Sequence, residues 1–391
     1  MSGFIAYLFL ENRDIKISIK TACFTPCNSL FIQTFQFFIE TLKLWAFRLD
    51  DVKTQAAVLL ERIKPFETVQ TYMDLFLTPG WWQLLLCFLA CSFIMIFILN
   101  AVERNGFEGT LVGTLVMPWF SGFPNLCFAY LMARSGSHGC IVLENCLVNN
   151  VTTLTLVLSV PAMVWGLNLF KATKKTPGND SKINHLSLLL SILALIFFSA
   201  ALFLVSKDGT ISSADGILLV GLFLFWQLYS VFDVLKNNTR KARKIKKRIF
   251  LDLMLIGICA WGIFSSIEAL IQWISLQGSG FFSRSNLGLL SGLLMVIPNA
   301  FLVVYYAIAK RADIAYSSQV GDCHICIPLC IGLFAIASPI TVPSSFETVL
   351  FIIMGAALGH FLFMTFLGKL PRFAGVLLTC LYTFFIYRGL I

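Results

Sequence analysis

Apolar residues in this chain run in long blocks instead of alternating with polar ones at a strand or surface-helix period. From Trp81 onward ten such blocks follow one another, at about 81–101, 109–133, 139–168, 185–206, 214–235, 249–275, 286–309, 313–339, 346–368 and 371–388. Each is close to or above the roughly 20 residues that an α-helix needs to cross a hydrocarbon core. The pattern predicts an all-α polytopic membrane protein with ten transmembrane helices. One polar stretch, 236–248 (KNNTRKARKIKKR), divides the ten into five and five. The expected organisation is a first membrane half at 80–235, a basic loop at 236–248 and a second half at 249–391. Residues 1–79 read differently. The run 4–10 is too short to span and no convincing small-residue cleavage site follows it, so a signal peptide is not expected. Segment 29–49 is apolar on one face but carries Gln33, Gln36, Glu40 and Lys43, which suits an amphipathic helix lying in the interface better than a span. Segment 51–64 reads as an exposed helix, and Pro79-Gly80 closes the region.

Composition and charge sharpen this picture. Hydrophobic residues make up 58% of the chain and charged residues 13%, with a mean hydropathy of +0.84, which excludes an ordinary soluble domain. Loops after odd-numbered blocks hold Arg104; Lys171, Lys174, Lys175 and Lys182; the eight Lys and Arg of the central loop; Lys310 and Arg311; and Lys369 and Arg372. Loops after the second, fourth, sixth and eighth blocks hold only Arg134, Lys207 and Arg284. The asymmetry puts the central loop in the cytoplasm and both ends of the ten-span core outside. The net charge of +9 therefore points to the bilayer and its anionic lipid as partner, and no nucleic-acid signature is present. Protein partners are left open. The 12 cysteines are scattered, mostly inside apolar blocks, and do not form a disulfide framework. With no phosphate-binding glycine loop, paired zinc-ligand motif or nucleophile triad, neither an enzyme nor a cofactor is expected.

Two blocks carry residues that a plain membrane anchor does not need. The second contains Gly113, Pro118, Ser121, Gly122 and Pro124-Asn125, and the third contains Glu144-Asn145, Asn149-Asn150 and Thr152-Thr153, with a hinge at 134–138. Carboxylates and amides at mid-membrane depth are costly and face a bundle interior or an aqueous cavity. Interrupted helices there are how secondary transporters build ion sites. The seventh and eighth blocks repeat the unit. Pro298-Asn299 is followed by a basic hinge, Lys310-Arg311, and by Ser317, Ser318, Gly321 and Asp322. Asn125 precedes Asn149 by 24 residues, and Asn299 precedes Asp322 by 23. The units, about 109–168 and 286–339, are five spans apart and enter the membrane in opposite orientations. That is an inverted-topology repeat, with a site expected between the halves.

At these residues the chain resembles the sodium/calcium exchanger family of cation antiporters, whose alpha-repeats read G-T-S-x-P-E-L and then G-N-x-x-G-S-N-x-x-N. Ser121 to Leu126 stands for T-S-x-P-E-L, Glu144-Asn145 for G-N, Val148 to Asn150 for G-S-N, and Thr153 for the closing Asn. In the second repeat Pro298 to Ala300 stands for P-E-L, Ser317-Ser318 for G-N, Gly321 to Cys323 for G-S-N, and Cys326 for the closing residue. The resemblance covers about 80–391 and implies two inverted five-helix repeats and secondary cation exchange. It also implies that the residue after each proline contacts the cation. In the family that residue is acidic; here it is Asn125 and Asn299.

The candidate cation-binding residues are Asn125, Asn299, Ser121, Glu144, Asn149, Asn150, Thr153, Ser317, Ser318 and Asp322. Amides and hydroxyls are oxygen donors suited to an alkali ion, while Glu144 or Asp322 balances charge or carries a proton. Each also has a packing alternative: an amide beside a proline satisfies carbonyls that the kink frees, and Ser and Thr pack membrane helices. Sodium, proton and calcium are the transported ions considered, in that order, because calcium takes roughly six to eight oxygens, several of them carboxylate. The replaced acidic pair also motivates a rival reading, a non-transporting membrane scaffold that keeps the fold. Cys323, Cys326 and Cys330 share one helix face with His324 beside them, a minor possibility for a soft metal. Asp233, Asp252 and Glu268 read as interfacial or packing residues.

Overall fold

Apolar side chains drive the blocks into helices, because a helix satisfies its own backbone where no water is present. The computed structural model describes residues 80–104, 117–136, 139–168, 178–238, 248–276 and 281–389. The helices expected at 29–49 and 51–64, and most of the basic loop, lie outside the described residues. In chain order the helices are α1 (Trp81–Arg104), α2 (Met117–Ser121), α3 (Phe123–Arg134), α4 (Gly139–Thr152), α5 (Ser159–Trp165), α6 (Gly178–Val205) and α7 (Ser213–Asn238). The second half supplies α8 (Arg248–Leu276), α9 (Leu287–Ile308), α10 (Ala312–His324), α11 (Ile331–Ala337), α12 (Phe346–Leu367) and α13 (Arg372–Gly389).

Eight continuous helical stretches are long and apolar enough to cross a bilayer among the described residues. The other two expected spans correspond to the broken pair α2–α3 and to α13. Large apolar side chains point outward from the bundle, Phe366 being 78% exposed, which is the surface a lipid-embedded protein presents. The chain is an integral multi-pass membrane protein.

The expected third and eighth spans are not plain helices. In each, one wide π turn interrupts the α-helix: Thr153–Val157 joins α4 to α5, and Ile325–Cys330 joins α10 to α11. Among the eight stretches these two composite spans are the most buried, with 78% and 83% of an 18-residue apolar stretch of each inside the bundle. Their ends are tied by two-residue antiparallel strands. β1 (Leu167–Asn168) follows α5 and pairs with β4 (Lys369–Leu370) before α13; β2 (Thr210–Ile211) precedes α7 and pairs with β3 (Ile340–Thr341) after α11. Each bridge joins one half to the other in the same way, as an inverted repeat requires.

Packing follows the same symmetry. α1 lies on α8, and α6 lies on α12. α5 packs on α13 as α11 packs on α7. α9 lies along α4, while α2 and α3 lie against the composite span α10–α11. The centre is therefore formed by the α2–α3, α4–α5, α9 and α10–α11 spans. Gly321 on α10 permits the closest approach there, since a Cβ in its place would run into the Pro118 ring of α2.

Candidate cation site

The site is built where the two composite spans cross. Pro124 starts α3 and leaves Asn125 in its first turn, pointing into the core; Pro298 inside α9 places Asn299 equivalently. Both asparagines are fully or almost fully buried. The Asn125 amide donates to Asn149 Oδ1 at 3.3 Å, and the Asn299 amide donates to Asp322 Oδ2 at 3.1 Å. So within each repeat the proline-linked Asn reaches the polar residue of the following span. Asn149 then donates to Asp322 Oδ2 at 2.9 Å, closing a chain of four side chains drawn from both repeats.

Asn149 and Asp322 are 173 residues apart, and so are Asn150 and Cys323, which also touch. Residues in matching positions of the two repeats thus meet each other, so the pseudo-two-fold axis passes through this cluster. The Asn150–Cys323 contact has a backbone cause. Pro328 lies in the second π turn and has no N–H to give to the carbonyl five residues earlier, which is that of Cys323. The Asn150 amide donates to this carbonyl at 3.2 Å instead.

Asp322 is fully buried, and the side-chain amides of Asn149 and Asn299 donate to it. On the spans that meet here several buried oxygens make no hydrogen bond: Asp322 Oδ1, Asn125 Oδ1, Asn150 Oδ1, Thr153 Oγ1 and Gln319 Oε1. Gln319 was not among the residues expected from the sequence. Its signal was its position three residues before Asp322, on the same helix face. Buried acceptors without donors are costly, and oxygens of this kind are able to ligate a cation.

The other candidates fall outside this cluster of free oxygens. Ser121 donates to Pro118 O at 3.1 Å, Ser317 to Ile314 O at 3.3 Å and Ser318 to Ala315 O at 3.1 Å, so each spends its proton on its own helix. Glu144 is half-buried and sits against Gly288 at the start of α9, where a Cβ would lie 2.5 Å from its Oε2. It lies five residues before Asn149, roughly 7.5 Å along the helix axis. Its neighbour Asn145 donates to Ser291 Oγ on α9 at 2.9 Å. Among the described residues no group of His, Cys, Asp and Glu is arranged to hold a metal ion. His324 faces Ser191 O at 2.9 Å and packs edge-on against Phe198 and Trp226. Cys326, however, joins the Asn149–Asp322 cluster, because Asn149 donates to its Sγ at 3.2 Å. Asp252 is buried on α8. Glu268 pairs with Arg134 at 3.9 Å beside an open cavity of about 220 Å³ whose lining includes none of the candidate cation-binding residues.

A second buried polar relay, also absent from the sequence reading, braces the first π turn. His360 on α12 contacts Leu154 O at 2.8 Å through Nε2. A carbonyl only accepts, so Nε2 carries the hydrogen and Nδ1 of the neutral ring accepts from the Tyr316 hydroxyl of α10.

Residues 80–232 match the family described as sodium/calcium exchanger protein. This match falls on the first membrane half, and the described unit has the fold of a sodium-calcium exchanger. The structure of the sodium-calcium exchanger NCX_Mj soaked with 2.5 mM Na⁺ and 10 mM Sr²⁺ superposes with a TM-score of 0.60 at 17% identity, covering 79% of this chain and 97% of that one. The same exchanger soaked with 10 mM Na⁺ and 10 mM Sr²⁺ gives 0.58 at 18% identity, covering 79% and 97%. No curated protein matches the chain. Exchangers are membrane transporters and not enzymes, and this chain shares their architecture of helices and inverted repeats.

Proposed function

We propose that this protein is a secondary active cation antiporter that works by alternating access, with its site half-way through the membrane between the two repeats. One observation carries the reading: a buried carboxylate, Asp322, is held by amides from both halves, and the same spans carry buried oxygens that have no donor. A site shared by two repeats changes shape when one repeat moves against the other, which is the requirement for exposing it to each side in turn. Asn125, Asn149, Asn150, Asn299, Thr153 and Asp322 line this site in our reading. Ser121, Ser317, Ser318 and Glu144 support the helices around it. The basic loop faces the cytoplasm, in keeping with the charge asymmetry of the loops. The driving force is the gradient of the competing ion.

The replacement of both proline-linked acids by Asn125 and Asn299 favours one rival, a non-transporting scaffold that keeps the exchanger fold. Reconstituted full-length protein separates them. Flux driven by an imposed cation gradient, and lost in Asp322→Ala and Asn125→Ala, is expected of the antiporter. Absence of flux for Na⁺, K⁺, H⁺ and Ca²⁺ in protein with a cooperative thermal transition rejects it in favour of the scaffold.

A further inference from the structure

Resting on the antiporter reading, we infer that the site holds a single monovalent cation and rejects divalent ones. The argument is a charge count on observed side chains. In the central spans Asp322 is the one fully buried carboxylate among the described residues. Asn125, Asn149 and Asn299 are neutral, and Glu144 lies apart against Gly288. Asp252 belongs to the first turns of α8, and Asp313 is paired with Arg311 at 3.5 Å near the start of α10. One negative charge balances one positive charge. A divalent ion bound there leaves a net charge in a region of low dielectric, which is strongly unfavourable.

The hydrogen bonds point the same way. Two amides, from Asn149 and Asn299, donate to the same carboxylate oxygen, Oδ2. This leaves Oδ1 as the single charged ligand, where a divalent ion of calcium type takes several carboxylate oxygens, often in bidentate fashion. The remaining free acceptors, Asn125 Oδ1, Asn150 Oδ1, Gln319 Oε1 and Thr153 Oγ1, are uncharged dipoles that are fully buried. Gln319 and Asp322 share a face of α10, and Thr153 lies one turn beyond Asn149 at the start of the first π turn, so these oxygens come from both repeats. A carboxylate oxygen with a few neutral oxygens is a ligand set for an alkali ion, or for a proton taken up by Asp322 itself.

The test uses the full chain in proteoliposomes and in detergent. Labelled sodium uptake is followed against outward gradients of Na⁺, K⁺ or H⁺, and labelled calcium uptake against an outward Na⁺ gradient. Thermal unfolding is titrated with NaCl and with CaCl₂ at matched ionic strength, choline chloride being the reference. The expected result is monovalent exchange, calcium uptake at background, and stabilisation by Na⁺ but not Ca²⁺ that disappears in Asp322→Asn. Adding a carboxylate with Asn299→Glu is expected to create calcium-dependent stabilisation. Calcium exchange by the unaltered protein, or calcium stabilisation abolished by Asp322→Asn, overturns this inference while leaving the antiporter reading intact. No flux of any of these ions, together with no ion-specific thermal shift, overturns both.

Discussion

Asn149 Nδ2 stands 2.9 Å from Asp322 Oδ2, and the two residues occupy matching places in the two repeats. The asymmetry between them is chemical. One repeat supplies the charge and the other supplies a donor that holds it. Asn149 also accepts from Asn125 and donates to Cys326, so it is the hub of the cluster. Asn149→Leu is expected to remove flux and to lower stability by about 3 kcal/mol, because it strips a donor from a buried carboxylate. Thermal unfolding together with flux checks both parts. Wild-type flux in this variant would show that the hub is dispensable.

The seam between α4 and α9 offers a cleaner energetic measurement, since Asn145 and Ser291 lie outside the cluster of free oxygens. Their 2.9 Å hydrogen bond is buried. A double-mutant cycle with Asn145→Ala and Ser291→Ala is expected to give a coupling of about 0.5–2 kcal/mol, the range for hydrogen bonds between membrane helices. Additive single effects would mean that the bond contributes nothing net.

Close packing of α2 on α10 predicts a steric effect. Gly321→Ala places a methyl group against the Pro118 ring and is expected to cost about 1–3 kcal/mol. Gly355 on α12 is the control, because a Cβ there meets nothing within 4 Å. Gly355→Ala is expected to stay within about 0.5 kcal/mol of the parent. Equal melting temperatures for the two variants would contradict the packing described.

For the relay at the first π turn, the order of effects is the test. Tyr316→Phe removes one hydroxyl and leaves His360 Nδ1 without its donor, at a cost of about 1 kcal/mol. His360→Leu leaves both the Tyr316 hydroxyl and the Leu154 carbonyl unmatched and is expected to cost about twice as much. Denaturation midpoints in the reverse order would show that the ring is not bracing that turn.

Much of the fold was legible in the sequence because bilayer thickness fixes block length, and the blocks at Trp81–Arg104 or Phe346–Leu367 have no competing interpretation. The pairing of Asn125 with Asn149 and of Asn299 with Asp322 was foreshadowed by their nearly equal spacings of 24 and 23 residues. Glu144 looked equivalent to Asp322 because composition does not report which face of a helix a residue occupies. Five positions separate it from Asn149, which turns it by about 140° around the axis and away from the cluster. The π turns left only an indirect trace, since their hydrogen-bond period is not encoded by any residue type. Pro328 was visible, but its consequence needed Asn150 opposite the orphaned Cys323 carbonyl. Gln319 and His360 match no alpha-repeat position, so a motif-led reading passed over them.

The strand bridges bear on how the protein is made. β1 and β2 are both completed by strands from the second half, β4 and β3. While synthesis has progressed only as far as the basic loop, these two segments have no partner, and Asn149 has no carboxylate to hold. The β1–β4 bridge closes only when Lys369–Leu370 has been made. A first half made alone therefore leaves β1, β2 and the Asn149 amide without the partners they have in the folded chain.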